Sequence, residues 1–292
     1  MNLFLKRSCI IFMIILMFFS VMAQRNDEKY KWKPIFNGKN LKNWDIKITD
    51  SPINVNFKNI FRVENGILKV SYDQFDKFNG EYGHIYYKTP YSNYILRVEY
   101  RFVGEQLKGG ETWNIRNSGV MIHSQSAASM GLHQSFPVSL EVQFLGGLGK
   151  GPRSTANLCT PGTTVEVKGK TFTDHILESS AKTYDGDQWV TVDVIVLGDS
   201  IIHHYVNGEK VLSYWKPKIG GGFVNANNNW EKAHVANSDD WIKKDGTPLK
   251  SGYIALQAES HPVEFRKVEL IDLEEIKGWK KLNLESLLHS EK

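Results

Sequence analysis

Apolar and polar residues alternate with a period of two along most of this chain. Between Tyr94 and Phe102, apolar positions are interleaved with Arg97, Glu99 and Arg101, the pattern of a strand with one buried face. Residues 189–197 are denser in Val and Ile and predict a central strand. Gly198-Asp199-Ser200 turns the chain into a strand over 201–206, and Asn207-Gly208 turns it again into 210–214. Asn and Gly both tolerate the positive φ of a type I′ turn, so these three strands are predicted to form a meander. Further strands are expected at 61–70 (broken at Asn65-Gly66), 84–89, 119–124, 138–145, 163–167, 252–258 and 263–273. Before the C-terminus no stretch of ten residues has a helical period; there Leu284, Leu287 and Leu288 take helical spacing. Many short strands separated by turn signals predict an all-β fold, two antiparallel sheets in a jelly-roll sandwich. With no internal repeat and no Pro- or Ser-rich linker, residues 24–292 are expected to form a single domain, its core over about 32–273 and followed by a tail.

The first two dozen residues break the pattern. Lys6 and Arg7 give a positive start, and residues 9–19 are an almost unbroken apolar run. Ser20-Val21-Met22-Ala23 then supplies the small or tolerated residues of a signal-peptidase site, which predicts a signal peptide over 1–23. The run is shorter than the roughly 20 apolar residues of a spanning helix. Gln24 stands where a lipoprotein would carry cysteine. The expectation is an exported bacterial protein, periplasmic or extracellular, with no stable membrane insertion after leader removal. Cys9 departs with the leader, so Cys159 remains alone and no intramolecular disulfide can form. Stability must come from the hydrophobic core, which a sandwich of roughly 200–250 residues can supply. The 36 basic and 32 acidic residues give +4, and losing Lys6 and Arg7 leaves +2. That balance offers no electrostatic reason to expect a nucleic acid partner.

Alternation also shows which polar residues share a face. In residues 139–144, Leu140, Val142 and Phe144 take the apolar side, so Glu141 and Gln143 point together to the other. In 118–123, Val120 and Ile122 take the core and leave His123 on the polar face. In 254–261, Ile254, Leu256 and Ala258 go inward, while Ala255, Gln257, Glu259 and His261 take the opposite side. In one sheet, these strands would gather carboxylate, amide and imidazole within a sugar-sized area, an acid–base constellation. The candidate catalytic residues are therefore Glu141, His123, Gln143, Glu259 and His261. Three stretches are long for structureless loops. They are 104–117, with Trp113, Asn114 and Arg116; 146–162, rich in Gly and Pro; and 215–250, with Phe223, Trp230 and Trp241. Disordered segments seldom carry such aromatics, so these loops are expected to fold over a binding face. Trp113, Arg116, Asn117, His133, Arg153 and Trp230 are the candidate substrate-binding residues.

Sandwich enzymes that hydrolyse glucans present a Glu-x-Asp-x-x-Glu strand. The matching stretch here, Glu141-Val142-Gln143-Phe144-Leu145-Gly146, lacks the last two carboxylates. Ordinary glycoside hydrolysis uses two carboxyl groups flanking the bond, so a conventional retaining glucanase is disfavoured. There is no nucleophile elbow, phosphate loop or two-cysteine metal pattern. His203 and His204 are adjacent on a strand and face opposite ways, so they cannot chelate one ion together. Glu111, Asp174, Asp239 and Asp240 are loop acids that could help hold a hard cation; a divalent cation stays open, with no other cofactor indicated.

Residues 34–44 open with Phe36-Asn37-Gly38 and close on Trp44 around a short loop. Residues 61–68 form a hairpin, and Asn117-Ser118-Gly119-Val120 and Leu140-Glu141-Val142-Gln143 form central strands. Val206-Asn207-Gly208 and the closing 252–266, with Gln257-Ala258-Glu259-Ser260-His261 at its centre, complete an ordered set. Together these segments resemble the 3-keto-disaccharide hydrolase family over nearly the whole mature chain. The resemblance implies a concanavalin A-like jelly roll of the lectin and glucanase type and sugar degradation by a secreted protein. It also implies a chemistry without a nucleophile–acid pair. Once a separate sugar oxidoreductase, the expected partner, has made the C3 hydroxyl a ketone, the C2 proton is acidic. A base removes it, the enolate expels the C1 oxygen, and water adds back. That route needs a base, an enolate stabiliser and a proton donor. Glu141, held on a strand with an apolar flank that raises a carboxyl's pKa, is the expected base. Gln143 is the expected donor to the enolate oxygen, and His123 or His261 returns the proton to the leaving group. Glu264, between Val263 and Phe265, is expected to be a structural partner of Arg266 or Arg62. The alternative is a non-catalytic carbohydrate-binding module, and a third reading is a calcium-stabilised adhesion or scaffold domain.

Overall fold

The computed structural model describes residues 30–221 and 229–289. The predicted leader over 1–23 and the part of the long loop with Phe223 and Asn225 lie outside the described residues. Seventeen strands among the described residues form two antiparallel sheets. The larger sheet runs β11 (Lys170–Phe172), β10 (Thr163–Val167), β15 (Glu209–Ile219), β14 (Ile201–Val206), β13 (Val190–Leu197), β6 (Asn93–Phe102), β17 (Val263–Asp272), β4 (Ile67–Val70) and β3 (Phe61–Glu64). A short β1 (Lys33–Pro34) pairs with β17. The smaller sheet runs β12 (Ile176–Leu177), β9 (Asn157–Cys159), β8 (Leu140–Leu145), β7 (Asn117–Ser124), β16 (Tyr253–Ala258), β5 (Gly83–Tyr87) and β2 (Trp44–Ile48). This is the jelly-roll sandwich that the period-two pattern predicts. The β13–β14–β15 meander is present, with Asn207 and Gly208 at φ 48° and 84°, as the hairpin signal requires.

The inner faces carry the apolar positions that alternation assigns to them. Leu140, Val142 and Phe144 of β8 and Val120 and Ile122 of β7 meet Leu96, Val98 and Tyr100 of β6, all fully buried. The Tyr100 ring stacks on Phe144 at 4.2 Å between centroids, tying sheet to sheet. Each such side chain contributes about 1.5–3 kcal/mol on burial, the source of stability open to a chain with no disulfide. His204 lies inside this core between the Ala156 carbonyl and the Tyr214 hydroxyl. Burial lowers its pKa to about 4. His203 faces the other way, against Ser213 Oγ.

The outer face of the larger sheet is covered by the C-terminal segment. Leu287 and Leu288 join Trp32, Ile95, Ile195 and Ile271 in a second apolar cluster. Arg97 bridges Asp193 at 2.6 Å and also donates to the Leu288 carbonyl. Glu264 is an ion-pair partner on this sheet, but of Arg101 (2.7 Å) and Lys69 (3.3 Å) rather than Arg266 or Arg62. Register explains it: Lys69 and Arg101 sit directly opposite Glu264 on the two neighbouring strands. Among the described residues no helix is long and apolar enough to cross a membrane.

Candidate functional site

A cleft of about 650 Å³ opens on the outward face of the smaller sheet. Its lining includes Glu141 and Gln143 from β8, Asn157 and Cys159 from β9, and Glu259 from the residue after β16. Three large apolar side chains that remain exposed, Trp113, Leu148 and Ile176, also line it. Trp113 is 50% exposed and lies parallel to the Tyr82 ring at 6.2 Å. Tyr82 in turn packs on Phe136 at 5.0 Å, so this wall is a braced aromatic surface of the kind that stacks on a sugar face.

Glu141 and Glu259 belong to strands separated by β7, and a glycine on β7 opens the space between them. A Cβ on Gly119 would fall 2.7 Å from Glu141 Oε1 and 2.9 Å from its Cγ. Glycine inside a strand marks such a close approach. Burial pushes the Glu141 carboxyl up to about 8. Glu259, 2% exposed, is raised well above the ordinary range, first by burial and then by the charge of Glu141. Neither acid makes a salt bridge among the described residues, and Glu259 Oε2 has no protein partner there. The two therefore titrate as a pair that gives up its first proton late. Cys159 stands opposite Glu141 in the β8–β9 register. Burial, then Glu141 and Glu259, raise its thiol far above the usual value, so it stays protonated and inert.

The orientation of Gln143 follows from a chain of donors. The Ser179 backbone N–H donates to Asn157 Oδ1 at 2.9 Å, which fixes the Asn157 amide. Asn157 Nδ2 then donates to Gln143 Oε1 at 3.2 Å. With its oxygen engaged, Gln143 keeps its Nε2 donors for the cleft.

The expected site residues divide into three groups. Glu141, Gln143, Glu259, Trp113, Asn117 and Arg153 share the cleft. Arg153 is held by its own bonds, donating to the Gly146 and Arg116 carbonyls. His261 and Arg116 line an adjoining groove instead, because the strand path breaks at Ser260, whose φ is 70°. Tyr72 Oη accepts from the Ser260 N–H at 2.9 Å and Gln106 Nε2 donates to its Oγ at 3.0 Å, which fixes the break.

The third group lies elsewhere. His123 does not reach the polar face. Its φ is 49°, and β7 carries one extra residue against β16 between Met121 and Ser124, a bulge that turns the ring toward the Gly198 carbonyl at 3.0 Å. His133 is exposed and paired with Asp50 at 2.5 Å, outside the cleft lining. Trp230 is 1% exposed and stacks on Trp241 at 6.2 Å within a cluster of Val138, Ile219, Val235 and Leu249. Its faces are used in giving the long loop a core, which corrects its expected role as a sugar platform. The residues that alternation missed are Asn157, Cys159, Phe136 and the half-buried His175, whose pKa is lowered by burial. Among the described residues no three His, Cys, Asp or Glu side chains gather as a metal site needs, and the loop acids Glu111, Asp174, Asp239 and Asp240 do not form one.

Fold and cleft together define a two-sheet jelly-roll sandwich with an acid-lined cleft on the outward face of its smaller sheet. The chain belongs to the 3-keto-alpha-glucoside-1,2-lyase-like domain family, whose model matches residues 31–271. Among solved structures it is similar to a candidate glycosyl hydrolase from Parabacteroides distasonis ATCC 8503, at 19% identity over 85% of this chain and 96% of that one, with a TM-score of 0.48. A Bacillus subtilis protein of unknown function with a galectin-like fold is 11% identical over 83% and 94%, with a TM-score of 0.48. A beta-glucanase from Bacillus licheniformis is 12% identical over 83% and 97%, with a TM-score of 0.42. No curated protein matches the chain.

Proposed function

We propose that the protein cleaves 3-keto glycosides in this cleft by elimination and hydration, with Glu141 as base, Gln143 as enolate stabiliser and Glu259 as acid. The observation that carries the reading is the carboxyl pair. Both acids are buried without a cationic partner among the described residues, and both hold their protons more tightly than exposed carboxyls. Glu141, at about 8, is near enough to neutral pH to serve as a base, while Glu259, raised by its neighbour's charge, keeps a proton to give.

The proton account closes. Glu141 takes the proton from C2, the negative charge develops on the C3 oxygen facing the Gln143 Nε2 donors, and the C1–O bond breaks. The departing oxygen takes the Glu259 proton. Water then adds across the C1–C2 double bond: Glu259 accepts a water proton as hydroxide bonds to C1, and Glu141 returns its proton to C2. Both acids end as they began. The family membership supports the keto-sugar substrate, and the Trp113 platform supports sugar stacking. Export through the leader over 1–23, and supply of the oxidised sugar by a separate oxidoreductase, belong to the same proposal. A nitrophenyl 3-keto-glucoside and its unoxidised parent test it together. Release of nitrophenol from the keto sugar alone is expected; equal rates on both, or none on the keto sugar, overturn the reading.

A further inference from the structure

A second hollow, a groove of about 700 Å³, lies beside the cleft and shares Leu148 with it. Its lining is of a different kind. Glu105, Gln106, Arg116, Lys150, Asp185 and His261 surround it, with none of the exposed aromatics that mark the cleft. Arg116 and Asp185 are already occupied. Arg116 donates to the Gly186 carbonyl and to Asp187, and Asp185 accepts from the Gly149 N–H at 2.8 Å.

His261 is not occupied. It is 2% exposed, its ring meets Phe102 edge-on at 5.6 Å, and neither ring nitrogen has a hydrogen-bond partner among the described residues. A buried polar group left without a partner costs about 1–3 kcal/mol, so a side chain that lines a groove in this state points to a polar ligand. Burial, and then the nearby Arg116, lower its pKa to about 4. The neutral ring offers one donor and one acceptor, which matches the two capacities of an alcohol group.

Position adds the second observation. Glu259 faces the cleft and His261 faces the groove, two residues apart across the pinned Ser260. The cleft and the groove meet at Leu148, so a substrate with its oxidised ring in the cleft beside Glu259 would extend its other substituent over Leu148 into the groove that His261 lines. We infer that the groove is the subsite for the second, leaving sugar of a disaccharide substrate, with His261 hydrogen-bonding one of its hydroxyls; this deepens the eliminative reading and rests on it.

The test compares 3-keto-maltose, whose leaving group is a sugar, with nitrophenyl 3-keto-glucoside, whose leaving group is not. His261→Phe is expected to raise KM for the disaccharide roughly tenfold more than KM for the aryl substrate. Lys150→Ala, at the exposed edge of the groove, should shift the same ratio in the same direction without touching the core. Equal losses on both substrates, or no change in the ratio for either variant, overturn the inference. If the wild-type protein cleaves neither substrate, the eliminative reading falls, and the groove is judged on binding of unoxidised maltose followed by NMR. Weaker maltose binding by His261→Phe then supports the subsite, and unchanged binding overturns it.

Discussion

Replacing Glu141 by Gln removes the proposed base while keeping its shape, and the structure sets two magnitudes for the result. The first is kinetic. A general base contributes about 10²–10⁴-fold, so turnover of nitrophenyl 3-keto-glucoside falls by roughly that factor. The second is thermodynamic. Burial holds the Glu141 carboxyl at about 8 against an ordinary 4.5, so between those values the folded protein keeps a proton that the unfolded chain has released. Stability therefore falls as pH rises through this window, with a slope from this one group of at most about 1.4 kcal/mol per pH unit. Below 4.5 both states are protonated and the contribution is fully present; above about 8 it is lost. Gln carries no such proton. Glu259, relieved of its neighbour's charge, also comes down toward the ordinary range. Urea unfolding of both proteins across this pH window reads the difference directly. The Glu141→Gln curve should be flatter, with the variant gaining on the wild type as pH rises. Near-normal turnover, or an unfolding curve parallel to that of the wild type, refutes the assignment.

Glu259→Gln should separate substrates by leaving group. Nitrophenolate departs without a proton, so most activity survives on that glycoside, while a methyl 3-keto-glucoside loses about 10²-fold or more; equal losses on both would remove Glu259 from the acid's role. Gly119→Ala places a methyl 2.7 Å from Glu141 Oε1 and forces the carboxyl to move. Turnover should drop about 100-fold, as small misplacements of a catalytic group do, for a loss of about 1–3 kcal/mol in unfolding free energy; unchanged turnover would show that the carboxyl's position does not matter. Cys159, buried and held protonated beside the two acids, should label with thiol reagents only when the protein is unfolded, and rapid labelling of the native protein would contradict that environment.

Where a strand stays regular, alternation is enough to place its side chains. Glu141 and Gln143 sit side by side in the cleft because β8 pairs without interruption against β7 and β9. Val120 and Leu256, which pair directly between β7 and β16, take the inner face for the same reason. The same parity puts His123 on the polar face, and there one added residue on β7 reverses the outcome. The sign of that bulge lies across the sheet, at Gly252, where a Cβ would come within 2.3 Å of the His123 carbonyl carbon. A residue's own neighbours in sequence do not show this. Alternation gives Glu259 and His261 one face, and Ser260, whose positive φ is sustained by Tyr72 and Gln106 from distant segments, parts them. The β9 strand was hidden inside a Gly- and Pro-rich stretch, so the residues that orient Gln143 and face Glu141 were out of reach. Loop aromatics misled in a different way. A long loop needs a core of its own, and Trp230 and Trp241 supply it, whereas Trp113 spends one face on Tyr82 and leaves half of its surface open. Interior Gly119 was the local signal with most to say, since a strand gives up side-chain packing at such a position only where something must come close. Here that something is the Glu141 carboxyl, so the missing side chain on β7 and the raised pKa on β8 are two results of one arrangement.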